Sequence, residues 1–239
     1  MSDKKLRVLF TGDSITDADR TTLVRGAQEW LSQDPTATAE RKNQVVNGIL
    51  GAGYPLLVAS QLSGEEPDRY EFLNRGVSGN RIVDLDARIK VDCINLKPDV
   101  VSILIGVNDV WHQLGEERNG VDAEKFRRVY ESMLREIHQA LPGVKFLLLE
   151  PYVLPGPATR DQWEVFRREV DKRRQVVQEL AQLFWVECDL HIPVIDTQRL
   201  LDQACERSSP AHWSADGVHP TPAGHWLIAQ EWIRRFQDL

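Results

Sequence analysis

Five short, mainly apolar runs are spaced along the chain, and they show little of the alternation expected of a strand with one face in water. Near-continuous runs rich in Val, Ile, Leu and Phe are typical of strands that are buried on both faces of a parallel sheet. We therefore predict five buried parallel strands. They are LRVLF (6–10), YEFLN (70–74), DVVSILIG (99–106), VKFLLLE (144–150) and IPVID (192–196).

Between these runs, apolar residues recur at steps of three and four positions, which predicts amphipathic helices. Residues 81–96 show this pattern, with Asn80 placed to cap the helix start, and residues 122–141 and 161–184 repeat it. A last helix is predicted to begin at Thr221, which a proline follows. Strands that alternate with helices predict an α/β fold in which helices cover both faces of a parallel sheet. Functional sites in such folds form beyond the carboxyl ends of the strands.

Composition and charge narrow the classes of protein that remain. The chain has 239 residues, of which 42% are apolar and 27% charged, and we expect a single domain over residues 1–239. The formal net charge of −7 argues against a protein that binds nucleic-acid phosphates. The N-terminal apolar run is too short for a signal peptide, and no run reaches the length of a membrane span. We therefore expect a cytoplasmic protein without nucleic-acid or membrane partners.

The cysteines give no sign of a metal site. Cys93, Cys188 and Cys205 are odd in number and have no CxxC spacing, which argues against both a disulfide framework and a thiolate metal site. We expect neither a metal nor another cofactor.

Residues 27–53 form a polar segment that is long for a connection between a strand and a helix. Pro35 and Gly48 interrupt it. We expect part of this segment to lie over the functional site as a loop.

Ser14 follows the first apolar run in a turn with the sequence GDSI, where a serine could act as a nucleophile if a base were nearby. The candidate base is His219, three residues after Asp216 in ADGVHPTPAGH. Such a DxxH turn can hold the carboxylate against one ring nitrogen and leave the other to face the serine. The alternative is an aspartate and a histidine that only shape a loop.

Two further turns offer donors for a developing negative charge. Gly79, in NRGVSGNRI, has no side chain in front of its amide and precedes a predicted helix. Asn108, in ILIGVNDVW, carries an uncharged amide just after the third strand. Either residue alone is also common in ordinary turns. Together with Ser14 and the DxxH turn, they favour an acyl-transfer site. Neither Ser14 nor Ser78 lies in the GxSxG sequence of the α/β-hydrolase nucleophile.

Four blocks, GDSI (12–15), GVSGN (76–80), GVND (106–109) and DGVHP (216–220), stand in the same order as in the GDSL or SGNH hydrolases, and most of the chain resembles that family. The resemblance implies a three-layer α/β/α sandwich with a flavodoxin-like sheet of five parallel strands. It also implies roles for five residues. Ser14 would be the nucleophile, Asp216 and His219 the other triad members, and Gly79, Asn108 and the Ser14 amide the oxyanion donors.

The longer strings GDSITD, NRGVSGN, PDVVSILIGVNDVW and VHPTPAGH are most similar to the acetylxylan-esterase branch of the family. This similarity implies a serine esterase that takes a small-molecule or oligosaccharide ester and removes acetyl groups from xylan or xylo-oligosaccharides. It also implies that copies of the chain could assemble into a homo-oligomer. The alternatives are a broad short-chain acylhydrolase, a thioesterase or a lysophospholipase, and a carbohydrate-binding protein without activity.

Several side chains near these blocks are candidates for substrate binding, because aromatic rings can stack on a sugar and polar groups can bond to it. Trp and Tyr are also routine core residues, so each aromatic candidate has an alternative place in the core. For Asp13, the alternative is to shape the turn by accepting hydrogen bonds from backbone amides. No long apolar stretch could cover a lipid chain, which favours short acyl groups. The candidates are Asp13, Tyr54, Trp111, His112 and Trp213.

Overall fold

A computed structural model describes residues 4–239, and its centre is one sheet of five parallel strands in the order β2-β1-β3-β4-β5. Each strand overlaps one of the five apolar runs, so the prediction of five buried strands is confirmed. The strands are β1 (Leu6–Gly12), β2 (Tyr70–Gly76), β3 (Val100–Leu104), β4 (Lys145–Leu149) and β5 (Val194–Ile195).

Helices cover both faces of the sheet, which gives the three-layer α/β/α sandwich that was expected. Two 3₁₀ turns accompany them, at Ile94–Leu96 and Arg160–Gln162. The helices are α1 (Ser14–Asp17), α2 (Arg20–Ser32), α3 (Ala39–Gly48), α4 (Tyr54–Glu65), α5 (Ile82–Asp92), α6 (Val107–Leu114), α7 (Ala123–Ala140), α8 (Trp163–Cys188), α9 (Thr197–Cys205), α10 (Pro210–Trp213) and α11 (Pro222–Phe236).

The sheet separates two hydrophobic clusters, because consecutive side chains of a strand point to opposite faces. Val8 and Phe10 of β1 pack in one cluster with side chains of α4, α9 and α11. Leu9, between them, packs in the other cluster with side chains of α5, α7 and α8. Burial on both faces explains why the strand sequences are nearly continuous in apolar residues.

The last predicted helix begins as expected, but the predicted cap of α5 is wrong. Thr221 is the N-cap of α11, and its side chain accepts a hydrogen bond from the Gly224 amide. Arg81, not Asn80, is the N-cap of α5, because the Asp84 carboxylate accepts from the Arg81 amide and fixes the start there. The Asn80 side-chain oxygen instead accepts from the Arg88 guanidinium.

The segment 27–53 is mainly helical, so the expectation that part of it lies over the site as a loop holds only at its end. Residues 27–32 continue α2, and Thr38 caps α3, which packs against β2. Helix α3 has no buried residue, so it lacks the apolar periodicity by which a helix is recognised in a sequence. Only the end of the segment, at Ala52, reaches the cleft described below.

The turns after β1, β2 and β3 converge because these three strands are neighbours. Gly12, near the end of β1, pairs with Gly76 on one side and with Leu104 on the other. The chain passes from β1 to β2 on one side and later returns to β3 on the other, and such a point of reversal is where α/β sheets form ligand crevices. No helix formed by residues 4–239 combines the length and apolar character needed to cross a membrane.

Candidate active site

The end of β1 presents the Ser14 hydroxyl on a sharp turn. Asp13 is the N-cap of α1, and its side chain accepts a hydrogen bond from the Ile15 amide at 3.0 Å. Ser14 is the first residue of this helix, so its own amide lies at the helix start, where no acceptor within the helix is available. Ser14 is half-buried, whereas Asp13 beneath it is buried.

A second turn brings His219 to Ser14. The Asp216 Oδ1 atom accepts from the backbone amides of Val218 and His219, both at 2.8 Å. Gly217, between Asp216 and Val218, has φ +101°, and a Cβ there would lie 2.4 Å from the Leu154 carbonyl oxygen. This backbone conformation and this close approach both require glycine.

The side chains of Ser14, His219 and Asp216 form one hydrogen-bonded line. Ser14 Oγ lies 2.9 Å from His219 Nε2, and His219 Nδ1 lies 2.7 Å from Asp216 Oδ2. Since an ionised carboxylate can only accept, His219 Nδ1 carries the proton of the neutral ring, and Nε2 is left to accept the Ser14 proton. The three side chains are therefore arranged as a nucleophile, a base and an orienting carboxylate.

The Asp216 carboxylate stays ionised next to this histidine. Burial tends to raise its pKa, but the hydrogen bonds from the His219 amide, the His219 ring and the Val218 amide outweigh burial and hold the pKa below its ordinary value. Exposed side-chain fractions of 31% for Asp216 and 42% for His219 keep both groups in contact with solvent.

Gly79 and Asn108 line the same lobe as Ser14, and each has an N–H group that makes no hydrogen bond within residues 4–239. Gly79 has φ +81°, and nothing lies within 4 Å of the position of an added Cβ, so the space around this residue is open. Within residues 4–239, its amide makes no hydrogen bond. Asn108 Nδ2 donates one N–H to the Asn80 carbonyl oxygen at 3.1 Å, which fixes the amide group and leaves its second N–H available.

Two residues whose roles the sequence did not reveal brace the Ser14 turn from below. The Asp17 Oδ2 atom accepts from the Ser78 hydroxyl at 2.8 Å and so connects α1 to the turn that contains Gly79. Asn74 Nδ2 donates to the Thr16 and Leu50 carbonyl oxygens at 2.6 and 2.7 Å. The sequence signal for both was weak: an aspartate three residues after the serine, and an asparagine within an otherwise apolar strand.

Two lobes of one cleft meet at Ser14, Ser78 and His219, which line both. The first lobe has a volume of about 540 Å³ and the second of about 380 Å³. The first lobe is further lined by Gly79, Asn108, Trp111, His112, Glu116 and Glu117, among others. The second lobe is further lined by Ala18, Asp19, Ala52, Pro220, Pro222 and His225.

The five candidates for substrate binding divide into two groups. Trp111 and His112 line the first lobe, and the Trp111 ring lies 5.9 Å from the His219 ring. Asp13, Tyr54 and Trp213 are buried and line neither lobe, so the prediction that they bind substrate is corrected.

The three buried candidates have structural contacts instead. Tyr54 is 0% exposed, and its hydroxyl lies 3.1 Å from the Thr16 hydroxyl beneath the Ser14 turn. The Trp213 ring contacts the His212 ring edge-to-face, and the Arg207 guanidinium lies over the Trp213 ring. Asp13 shapes the turn by accepting from the Ile15 amide, which is the alternative role expected for it from the sequence.

Comparison with known proteins decides the family. The model of the GDSL-like Lipase/Acylhydrolase family matches residues 10–227, which include Ser14, Gly79, Asn108, Asp216 and His219. The chain belongs to this family. An acetylxylan esterase from Geobacillus stearothermophilus is 30% identical over 232 residues, which cover 95% of this chain and 92% of the relative. As a GDSL-like acylhydrolase, the protein is a carboxylic ester hydrolase.

Solved structures of similar proteins share the sandwich. LAE5, an alpha/beta hydrolase enzyme from the metagenome of Lake Arreo in Spain, has a TM-score of 0.76 at 26% identity, and the match covers 99% of this chain and 98% of that one. Axe2, an acetylxylan esterase from Geobacillus stearothermophilus, has a TM-score of 0.74 at 30% identity, with 98% and 96% covered. The GDSL-like chain therefore has the SGNH hydrolase fold that its blocks implied.

Proposed function

We propose that this GDSL-like esterase removes acetyl groups from a hydroxylated alcohol, above all acetylated xylan or xylo-oligosaccharides, through an acyl-enzyme on Ser14. The observation that carries the proposal is the hydrogen-bonded line from Ser14 through His219 to Asp216, at the meeting point of two open lobes.

In the first step, His219 Nε2 takes the proton from Ser14 Oγ as the oxygen attacks the ester carbonyl carbon. The ring is then an imidazolium, which the Asp216 carboxylate stabilises through the Nδ1–H hydrogen bond. His219 next gives its proton to the alcohol oxygen, so the alcohol leaves as a neutral molecule.

The carbonyl oxygen becomes negatively charged while the tetrahedral intermediate exists. The amides of Ser14 and Gly79 and the free N–H of Asn108 are donors already held at the cleft, so they can bind this oxygen without rearrangement. Water then attacks the acyl-enzyme with His219 as base, and acetate is released. No cofactor takes part in this scheme.

The amide, imidazole and carboxylate groups that line the first lobe beside the Trp111 ring support a polar alcohol as the leaving group. Trp111 offers a ring on which a sugar can stack, and His112 and the carboxylates of Glu116 and Glu117 can bond to hydroxyls nearby. The relatives named acetylxylan esterases point to the same substrate class.

A rate comparison tests this proposal. We expect kcat/KM to be highest for an acetylated xylo-oligosaccharide, lower for other acetylated sugars, and to fall along p-nitrophenyl esters as the acyl chain lengthens. Ser14→Ala is the control and should abolish all of these activities, together with covalent labelling by an organophosphonate. A preference for long acyl chains, for thioesters or for lysophospholipids would contradict the acetylesterase assignment, and labelling of Ser14→Ala would contradict the nucleophile.

A further inference from the structure

His225 lies in the first turn of α11, close to the site but outside the line of Ser14, His219 and Asp216. The residue is 8% exposed and lines the second lobe. Its Nδ1 atom accepts a hydrogen bond from the Tyr54 amide at 3.2 Å. The ring is thus anchored on one side by the start of α4.

This anchor decides where the proton of the ring is. A ring nitrogen that accepts from an amide carries no proton, so in neutral His225 the proton must be on Nε2. Burial, and after it the nearby His219 ring, lowers the pKa of His225 to about 4. At neutral pH the side chain is therefore an uncharged donor with one N–H at Nε2.

The packing around the ring leaves that N–H to the cleft. The Nδ1 and Cε1 side of the ring lies against Gly53, where an added Cβ would be 3.1 Å from Nδ1 and 2.8 Å from Cε1. Within residues 4–239, Nε2 makes no hydrogen bond, although the residue lines the second lobe. A donor that the fold holds in place at the cleft can bond to an acceptor of a bound molecule without rearranging.

We propose that the Nε2–H group of His225 donates a hydrogen bond to a hydroxyl of the alcohol part of the substrate, which lies in the second lobe. This inference rests on the proposed function, since it concerns the alcohol that the ester releases. An acyl methyl group in that lobe would cover the donor without pairing it, which is unfavourable. A chain of sugars would instead lie across both lobes, with Trp111 on one side of the ester and His225 on the other.

Three variants test the role of this donor. His225→Asn keeps a side-chain oxygen near the Nδ1 position for the Tyr54 amide, while its NH₂ group lies near the Cδ2 position and does not reach the place of Nε2. His225→Gln can place an N–H near the Nε2 position. His191→Asn, at an exposed histidine away from the cleft, is the matched control.

The measured quantity is the ratio of kcat/KM for an acetylated xylo-oligosaccharide to kcat/KM for p-nitrophenyl acetate, whose alcohol has no aliphatic hydroxyl. We expect His225→Asn to lower this ratio about 10- to 50-fold, mainly through a higher KM for the sugar ester. His225→Gln should recover a large part of the loss, and His191→Asn should leave the ratio unchanged. Thermal melting checks that the variants are folded.

The possible outcomes separate this inference from the function on which it rests. An unchanged ratio in His225→Asn, or an equal loss on both esters, would overturn the role of His225 in binding while leaving the esterase assignment intact. A wild-type enzyme that hydrolyses p-nitrophenyl acetate but no acetylated sugar would overturn the proposed substrate, and the role of His225 with it.

Discussion

The turn with Ser14 and the turn with His219 meet at one hydrogen bond, yet different parts of the chain hold them in place. The lower side of the Ser14 turn is buried. Side chains from elsewhere in the sequence, such as Asn74 and Tyr54, form hydrogen bonds to it there. The His219 turn is partly exposed, and its amides donate to the Asp216 carboxylate within the turn. Its carbonyl oxygens accept from residues 152–158, namely from the Leu154 and Ala158 amides and the Tyr152 hydroxyl.

This difference separates the energetics of the two turns. Substitutions that weaken the Ser14 turn should destabilise the fold, because buried backbone groups lose their partners. Substitutions of the Asp216 or His219 side chain should act mainly on the reaction, because the carbonyl oxygens of that turn keep their partners in residues 152–158.

The largest effect is expected from Asp216→Asn. The asparagine oxygen can still accept from the Val218 and His219 amides, so the turn is preserved. Its NH₂ group, however, would face His219 Nδ1 and favour the tautomer in which Nε2 is protonated and cannot take the Ser14 proton. We expect kcat to fall on the order of 10³- to 10⁴-fold with little change in melting temperature. A fall of less than about tenfold would contradict the role of Asp216.

Asn74→Ala should show the opposite balance. The substitution leaves the Thr16 and Leu50 carbonyl oxygens and the Gly76 amide without their side-chain partner in a fully buried place. We expect the free energy of unfolding to fall by about 2–4 kcal/mol, measured by urea denaturation. Asn43→Ala, on the exposed surface of α3, is the control and should change stability little. A destabilisation as small as that of the control would show that the brace is not needed.

A smaller effect should appear in the pH dependence of stability, because the two turns contain aspartates with opposite pKa shifts. Burial, and after it the Asp109 carboxylate, raises the pKa of Asp13 to about 7, although the bond from the Ile15 amide acts in the other direction. The pKa of Asp216 is lowered. A raised carboxyl pKa in the folded state makes stability fall as pH rises from about 4 to 7, whereas a lowered one makes stability fall in acid.

Asp13→Asn isolates the first contribution, because the amide resembles the protonated acid. We expect its melting temperature to drop less between pH 5 and pH 8 than that of the wild type, by an amount equivalent to about 1–2 kcal/mol. Part of the fall in melting temperature with pH should remain in Asp13→Asn, because burial also raises the pKa of Asp109 to about 7. If the melting temperatures of Asp13→Asn and the wild type fell equally between pH 5 and pH 8, the inference that ionised Asp13 destabilises the fold would be wrong.

The strands and the ordered chemical blocks could be predicted from the sequence, because each has a local signal. A strand buried on both faces is apolar throughout, whatever its neighbours are. Ser14, Gly79, Asn108, Asp216 and His219 each stand in a recognisable short string, and the structure brings them together at one cleft.

The bracing contacts could not be predicted, because they depend on the tertiary structure. Asn74 with Thr16 and Ser78 with Asp17 connect residues 58 and 61 positions apart. Tyr54 was misjudged for the same reason: a tyrosine after a polar segment is consistent with either a cleft or a core, and only the packing of α4 decides between them. Helices α2 and α3 have little apolar periodicity in the sequence, because they bury few residues.

Helix α3 and the residues after it also bear on how the protein avoids aggregation. Strand β2 is at one edge of the sheet, where an open row of backbone groups can pair with a strand of another molecule. Asn47 accepts from the Arg75 guanidinium, and the Leu50 carbonyl oxygen accepts from Asn74. Since Asn74 and Arg75 are consecutive and point to opposite faces, the segment must pass around this edge. At the other edge, β5 has only two residues, so it offers few backbone groups to a strand of another molecule. Both edges of the sheet are therefore protected from pairing with another molecule, while its carboxyl ends stay open at the cleft.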